Sequence, residues 1–305
     1  MYLTGISDEA GASIDVQIKA TQELGWSSLE ARGVQVNEHP AANLHDIPDA
    51  AFDVVVEKLA AAGVRVCCFG SAIANWGKKI DQPFDSSLAE ARRAIPRMQR
   101  LGTRFVRIMS FAVREDHDDQ MEDERFRRLR ELTRMFLDAG LQPVHENCMN
   151  YGGMGWTFAL KLLEQVPGLK WVFDTGNPLF NADRSKPKPW PKQDTWEFYE
   201  HVKPFIAHVH VKDVIWDHAR NEPIYTFPGE GHGQVRRVLK DLLSSGYDAG
   251  VSIEPHMAVV FHDATVTAPA DVQYRNYVEY GRRLGRLVEE LKAETGLGGR
   301  TAPGR

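Results

Sequence analysis

Residues 50–69 read AAFDVVVEKLAAAGVRVCCF, and the order of their parts decides the fold class. Ala50–Ala62 carries apolar residues at helical spacing, Gly63 is placed to cap that helix in a left-handed turn, and Val64–Phe69 is a short apolar run suited to a buried strand. The same helix–glycine–strand punctuation recurs at Leu24-Gly25-Trp26, Leu101-Gly102-Thr103, Ala139-Gly140-Leu141 and Ser245-Gly246-Tyr247. Such tight αβ joints are what a parallel sheet with helical crossovers needs.

Extended outward, the rhythm runs to eight strands and eight helices. The expected strands are Leu3–Ser7, Ser28–Ala31, Val64–Phe69, Arg104–Met109, Gln142–Glu146, Lys170–Asp174, Ile206–Val211 and Val251–Glu254. The expected helices lie near Ile14–Leu24, Ala50–Ala62, Ser87–Leu101, Asp123–Ala139, Thr157–Gln165, Thr195–Val202, Val235–Ser245 and Val272–Lys292. This pattern predicts a single-domain (β/α)8 barrel of the α/β class over residues 1–295, with a Gly/Pro/Arg-rich tail at 296–305. A doubly wound open sheet is the competing architecture, but no GxGxxG follows the first strand, so dinucleotide binding has no support. Pro96 predicts a kink within the third helix.

Composition narrows the function. The 305 residues include 37 Lys+Arg and 42 Asp+Glu, and 37 − 42 = −5 leaves no basic field to draw in a nucleic acid. Three cysteines are too few for a disulfide framework, and Cys67 and Cys68 read as buried thiols. MYLTGISDEAG at 1–11 has no signal-peptide pattern and no window is apolar enough to span a membrane, so a cytoplasmic protein is expected. The long polar inserts Gly33–Ile47, Ser71–Asp85, Asn177–Asp194 and Lys212–Gly233 all follow strands rather than helices. In a (β/α)8 barrel that gathers them at the C-terminal rim, where chemistry is built.

Four residues stand at the ends of strands five to eight: Glu146 in PVHENC, Asp174 in WVFDTGN, His210 in HVHVKD and Glu254 in VSIEPH. Three carboxylates and one imidazole suit a hard or borderline divalent ion such as Mn2+, Mg2+, Co2+ or Zn2+. Without a cation, carboxylates so crowded repel and shift their pKa values upward. They meet only if the barrel closes.

These motifs, with the GEGHG turn at Gly229–Gly233, resemble the xylose-isomerase-like barrels, a superfamily of sugar isomerases, ketose 3-epimerases, inosose dehydratases and endonuclease IV. The resemblance implies that Glu146, Asp174, His210 and Glu254 are the metal ligands, with Mn2+ the first choice of ion, and that Glu146 and Glu254 also move the proton. Two departures bear on substrate. Asn177 stands where the ketose epimerases have histidine, and Gly152 stands at the place of their second glutamate. The third strand ends in Phe69-Gly70-Ser71 and supplies no histidine for the three-zinc cluster of endonuclease IV.

Further candidates follow from strand periodicity. Lys212 shares a face with His210 and is suited to neutralise an oxyanion; His256 shares a face with Glu254, if the chain stays extended through Pro255, and is suited to act as a general acid. Glu30, Asn177 and His232 are further candidates for substrate contact. Glu30 shares a face with Arg32, so an ion pair between them is the alternative reading, and Glu9 is a weaker candidate of the same kind. His145 is expected to face away from Glu146, and Trp76, Trp156 and Trp216 lie near rim loops, where they either stack on a sugar face or a partner subunit or serve core packing and loop anchoring. The expected protein is a divalent-metal-dependent sugar isomerase or epimerase that removes a proton α to a carbonyl. The alternative is a lyase that expels a β-substituent from a keto-sugar or 3-keto-glycoside. A turnover-free sugar-binding barrel and a repair nuclease are weaker readings. The expected partner is a small-molecule sugar or keto-sugar, with no nucleic acid and no membrane, and the chain is a candidate homo-oligomer.

Overall fold

Eight strands ring the interior in the computed structural model, which describes residues 1–260 and 263–296. They are β1 (Tyr2–Gly5), β2 (Ser28–Ala31), β3 (Arg65–Phe69), β4 (Phe105–Ile108), β5 (Gln142–Glu146), β6 (Lys170–Asp174), β7 (Ile206–Val211) and β8 (Gly250–Ile253). Every neighbour pairing is parallel, from β2 round through β3 to β8 and on to β1. The remaining seam, between β1 and β2, is joined by one parallel bridge, Ile6 to Glu30, which brings the sheet nearly to closure. The barrel expectation holds, and no dinucleotide-type open sheet forms.

Eight helices pack outside: α1 (Ile14–Glu23), α2 (Asp49–Ala62), α3 (Asp85–Leu101), α4 (Glu122–Asp138), α5 (Trp156–Gln165), α6 (Thr195–Val202), α7 (Val235–Ser244) and α8 (Ala270–Glu294). The glycines that end five of the predicted helices all take positive φ, between 65° at Gly63 and 76° at Gly140 and Gly246. A side chain there would strain the turn that returns the chain to the barrel. α3 continues through Pro96 to Leu101.

The polar inserts hold structure that their composition did not announce. Gly33–Val36 pairs with His39–Asn43, and Asp213–Asp217 pairs with Glu222–Thr226, both antiparallel. A third short hairpin, Val259–Val260 with Asp263–Thr267, follows β8. Of the tail expected at 296–305, residues 297–305 lie outside the described residues. No helix among the described residues is long and apolar enough to cross a membrane.

Side-chain alternation sets the site's position. Val144, Val172 and Cys68 form a small buried cluster, apart from the main core between sheet and helices. Two residues further along the same strands stand Glu146 and Asp174, which a period of two places on the same side. The apolar layer thus floors the polar one.

Candidate metal centre and active site

Glu146, Asp174, His210 and Glu254 each bring a donor atom within 4.8 Å of the others, and all four are buried. Each carboxylate has one oxygen committed elsewhere. Glu146 Oε2 accepts from Arg107 at 2.7 Å, Glu254 Oε1 accepts from Arg32 at 2.9 Å, and Asp174 Oδ1 accepts the backbone N–H groups of Gly176 and Asn177 at 2.8 and 2.6 Å. The second oxygens turn inward. Glu146 Oε1 lies 3.3 Å from His210 Nδ1, and Glu254 Oε2 lies 4.0 Å from it. Two donors, Asp174 Oδ2 and His210 Nδ1, are buried with no hydrogen-bond partner. Buried acceptors without a hydrogen bond are costly unless something coordinates them, so the chemistry of the donor set fits a divalent cation.

His210 is aimed from behind. Its Nε2 lies 3.1 Å from Glu30 Oε2, and His208 Nε2 lies 2.9 Å from the same oxygen. Against the pull of burial, Glu30 and Glu146 push the His210 imidazole well above its ordinary range; with Nε2 kept protonated toward Glu30, a cation bound at Nδ1 would take the place of the proton there, the arrangement that carboxylates behind metal-binding histidines impose. The two imidazoles hold the Glu30 carboxyl well below its usual range despite full burial. Glu30 is therefore not a rim residue. It lies at the seam beneath the cluster, and Arg32 pairs with Asp8, Glu9 and Glu254. Glu30 thus faces His208 and His210 rather than Arg32, and it is not among the residues that line the cleft above the cluster.

Lys212 and Asn177 do reach the site. Lys212 Nζ donates to Glu254 Oε2 at 2.8 Å and to Asn177 Oδ1 at 3.1 Å, and it lies 3.4 Å from Asp174 Oδ2. Asn177 Nδ2 in turn donates to Glu146 Oε1 at 3.1 Å. Burial, reinforced by the charges of Glu254 and Glu146, pushes Asp174 up to about 7 against the pull of Lys212. Arg107 and His210 hold Glu146 down to about 2 although burial works the other way. Lys212, His256 and Arg32 hold Glu254 well below its usual range. The centre therefore has two ionised glutamates beside an aspartate whose charge a dication would restore.

His256 arrives by a different route from the one expected. Its φ of 53° breaks the extended path after β8, and Glu9 fixes it by accepting from its backbone N–H at 2.8 Å and facing its Nδ1 at 2.7 Å. His256 Nε2 then stands 3.9 Å from Glu254 Oε1. A cleft above the cluster is lined by His256, Lys212, Asn177, Arg32, Arg107, Trp76 and Phe180, together with both glutamates.

Other candidates lie elsewhere. His232 is exposed on its turn, its backbone N–H donating to the carbonyl of Val214, and it does not line the cleft. Trp156 stacks on His201 at 3.6 Å, and Trp216 lies under Lys192, so both anchor loops. His145 faces away from the centre, as alternation predicts, with Nε2 2.9 Å from Ser110 Oγ and its ring 4.9 Å from that of Trp171. That ring bears on Gly152. A Cβ at position 152 would come within 2.4 Å of His145 Cε1 and 3.1 Å of Trp171 Cη2.

Residues unforeseen in sequence complete the site: Arg107, Asp8 and His208. The signal for Arg107 was a charge inside the otherwise apolar run of β4, where only a partnered cation is tolerated. His208 offered the same kind of signal on the inward face of β7.

A nearly closed α/β barrel with a buried carboxylate–histidine cluster at the C-terminal ends of β5–β8, consistent with a divalent metal, defines the class. The chain belongs to the xylose isomerase-like TIM barrel family, whose model matches residues 18–281. No curated protein sequence matches. Among solved structures, a D-tagatose 3-epimerase-like protein is similar at 18% identity and TM-score 0.69, covering 96% of this chain and 99% of that one. A xylose isomerase-like TIM barrel protein from Mycobacterium smegmatis in complex with magnesium is similar at 17% identity and TM-score 0.64, covering 94% and 97%. The probable 3-DHS dehydratase involved in petrobactin synthesis from Bacillus anthracis is similar at 15% identity and TM-score 0.64, covering 91% and 97%. At such identities the likeness is one of fold.

Proposed function

We propose that this protein is a divalent-metal-dependent isomerase or epimerase of a sugar or keto-sugar, with Glu146, Asp174, His210 and Glu254 as ligands and Mn2+ as the preferred ion. The observation that carries the reading is that Asp174 Oδ2 and His210 Nδ1, both buried and without a hydrogen bond, converge with the inward oxygens of two ionised glutamates. The named activities of the solved relatives, epimerase-like and dehydratase, favour enolisation chemistry.

When bound, a divalent cation supplies Lewis acidity that polarises a carbonyl and its neighbouring hydroxyl and so acidifies the carbon-bound proton between them. The protein's own groups do the rest. Arg107 and Asn177 hold Glu146, and Arg32 holds Glu254, so that each carboxylate is ionised and fixed before substrate arrives. Either one is suited to take the proton as general base. Lys212 offsets the charge that develops on the enediolate oxygen. Return of the proton to the opposite face gives epimerisation, and return to the adjacent carbon gives isomerisation.

One observation favours elimination as the second reading: His256, clamped by Glu9 next to Glu254, is suited to give a proton to a departing hydroxyl or aglycone. Incubating Mn2+-loaded protein with a 3-keto-glycoside separates the two. Rearrangement without loss of mass supports the isomerase, and release of water or aglycone supports the lyase. Glu254→Gln is expected to lower either turnover by at least ~100-fold, and unchanged turnover would reject its role as base.

A further inference from the structure

His232 of the GEGHG turn is exposed, but the glycines around it grip Asp213, the residue that follows Lys212. The backbone N–H groups of Gly229 and Gly231 donate to Asp213 Oδ2 at 2.8 and 3.0 Å, and those of Gly233 and Val214 donate to Oδ1 at 2.9 and 3.0 Å. Only small residues let the turn close so tightly: a Cβ at Gly231 would lie 2.4 Å from Asp213 Oδ1, and one at Gly233 would lie 2.8 Å from it. A buried carboxylate with four amide donors is a firm anchor. It fixes the start of the hairpin that pairs Asp213–Asp217 with Glu222–Thr226.

That hairpin carries Tyr225 to the cleft. Tyr225 lies opposite the fully buried Val214, whose face of the ladder it shares, while its neighbour Ile224 is exposed. The tyrosine ring meets that of His256, a residue of the cleft wall, edge-on at 5.3 Å. Burial, reinforced by the charges of Glu254, Glu9 and Asp174, pushes the phenol up to about 12 against the pull of Lys212. The hydroxyl therefore faces the charged centre and keeps its proton at neutral pH. No hydrogen bond from another described residue reaches it.

We propose that Tyr225 is a substrate-binding residue whose hydroxyl donates to an uncharged hydroxyl or carbonyl oxygen of the sugar beside His256, and that Asp213, gripped by the glycine turn, is the residue that positions it. The inference rests on the metal-centre reading and adds to it the acceptor that the substrate must offer on the β7–β8 side of the cleft. Arg32, Arg107 and Lys212 also line that cleft, but each already donates to a carboxylate. Tyr225 has no such commitment, and a neutral phenol suits an uncharged oxygen.

The test uses the Mn2+-loaded full chain with methyl 3-keto-glucoside as probe, turnover being followed by mass spectrometry and Mn2+ binding by electron paramagnetic resonance. Tyr225→Phe keeps the ring against His256 and removes only the oxygen, so kcat/KM is expected to fall about tenfold with Mn2+ affinity unchanged. Asp213→Asn, outside the donor set of the metal, is expected to cost about as much. Adding Tyr225→Phe to it should then cost little more, because the donor is already displaced. Should Asp213→Asn fail to fold, Gly231→Ala disturbs the same anchor from the turn. Independent, additive losses would overturn the positioning role of Asp213, and unchanged kcat/KM in Tyr225→Phe with Mn2+ bound would overturn the proposal alone. Where the wild type does not turn the probe over, protein labelled with 3-fluorotyrosine decides: the Tyr225 fluorine resonance, assigned by its loss in Tyr225→Phe, is expected to broaden when Mn2+ binds, and a sharp resonance would overturn the proposal. Absence of Mn2+ binding would overturn the metal-centre reading and this proposal with it.

Discussion

Substituting Asp174 by Asn tests the centre without changing its shape. The Asp174 Oδ1 position must keep accepting from the N–H groups of Gly176 and Asn177 at 2.8 and 2.6 Å, because both amides are buried there. An asparagine can satisfy them only with its amide oxygen, which places its NH2 group where Oδ2 now points. A donor with no lone pair then faces the ion. Affinity for Mn2+ should fall at least about 100-fold, or about 2.7 kcal/mol at 1.36 kcal/mol per decade. Stability of the metal-free protein should change little, because burial already pushes Asp174 up to about 7 and the carboxylate is half neutral near that pH. Calorimetric titration with Mn2+ gives the first quantity, and urea unfolding in the presence of chelator gives the second. Wild-type Mn2+ affinity in D174N would refute the ligand assignment. A loss of more than about 3 kcal/mol in the metal-free protein would instead mark Asp174 as a structural carboxylate.

Two further outcomes follow from the groups around the centre. Glu30→Gln leaves one acceptor oxygen for two imidazoles, so His210 loses its fixed tautomer; Mn2+ affinity should fall ~10–100-fold by titration, and an unchanged affinity would exclude the orienting role. His145 is held neutral, its pKa pushed by burial from 6.5 down to about 3. Because the unfolded chain takes up that proton first, this contribution is complete above pH 6.5 and is lost as pH falls toward 3, at up to about 1.4 kcal/mol per pH unit. Metal-free wild type should therefore lose Tm more steeply between pH 6.5 and 5 than His145→Asn, and parallel declines would contradict this.

The barrel was legible because its signals are local. Four of the eight predicted strands, Ser28–Ala31, Gln142–Glu146, Lys170–Asp174 and Ile206–Val211, coincide with the observed ones, since each apolar run ends where its strand meets the rim. The four donors were legible for the same reason, as polar residues that end such runs. What sequence could not supply was pairing across the cylinder. Glu30 and His208 are 178 residues apart and meet only because β2 and β7 project into the same interior. Periodicity assigned Glu30 a face but not a depth, and so placed it with substrate. His256 was expected on an extended path, yet a left-handed φ redirects it and Glu9, from the start of the chain, secures it. The hairpins at Gly33–Asn43 and Asp213–Thr226 were read only as polar inserts: Val34 and Val36 do alternate into the core, but strands of four or five residues are too short to stand out from their polar neighbours.

The crowding at position 152 limits how this chain can be re-engineered. Installing the glutamate that the ketose epimerases carry there is not a one-step change, since its first carbon already overlaps the imidazole of His145 and presses on the Trp171 indole. Any path toward that chemistry must first trim the ring behind the fifth strand, and so give up its tie to Ser110. Whatever selectivity the glycine confers is locked in by a neighbour on the far side of the sheet.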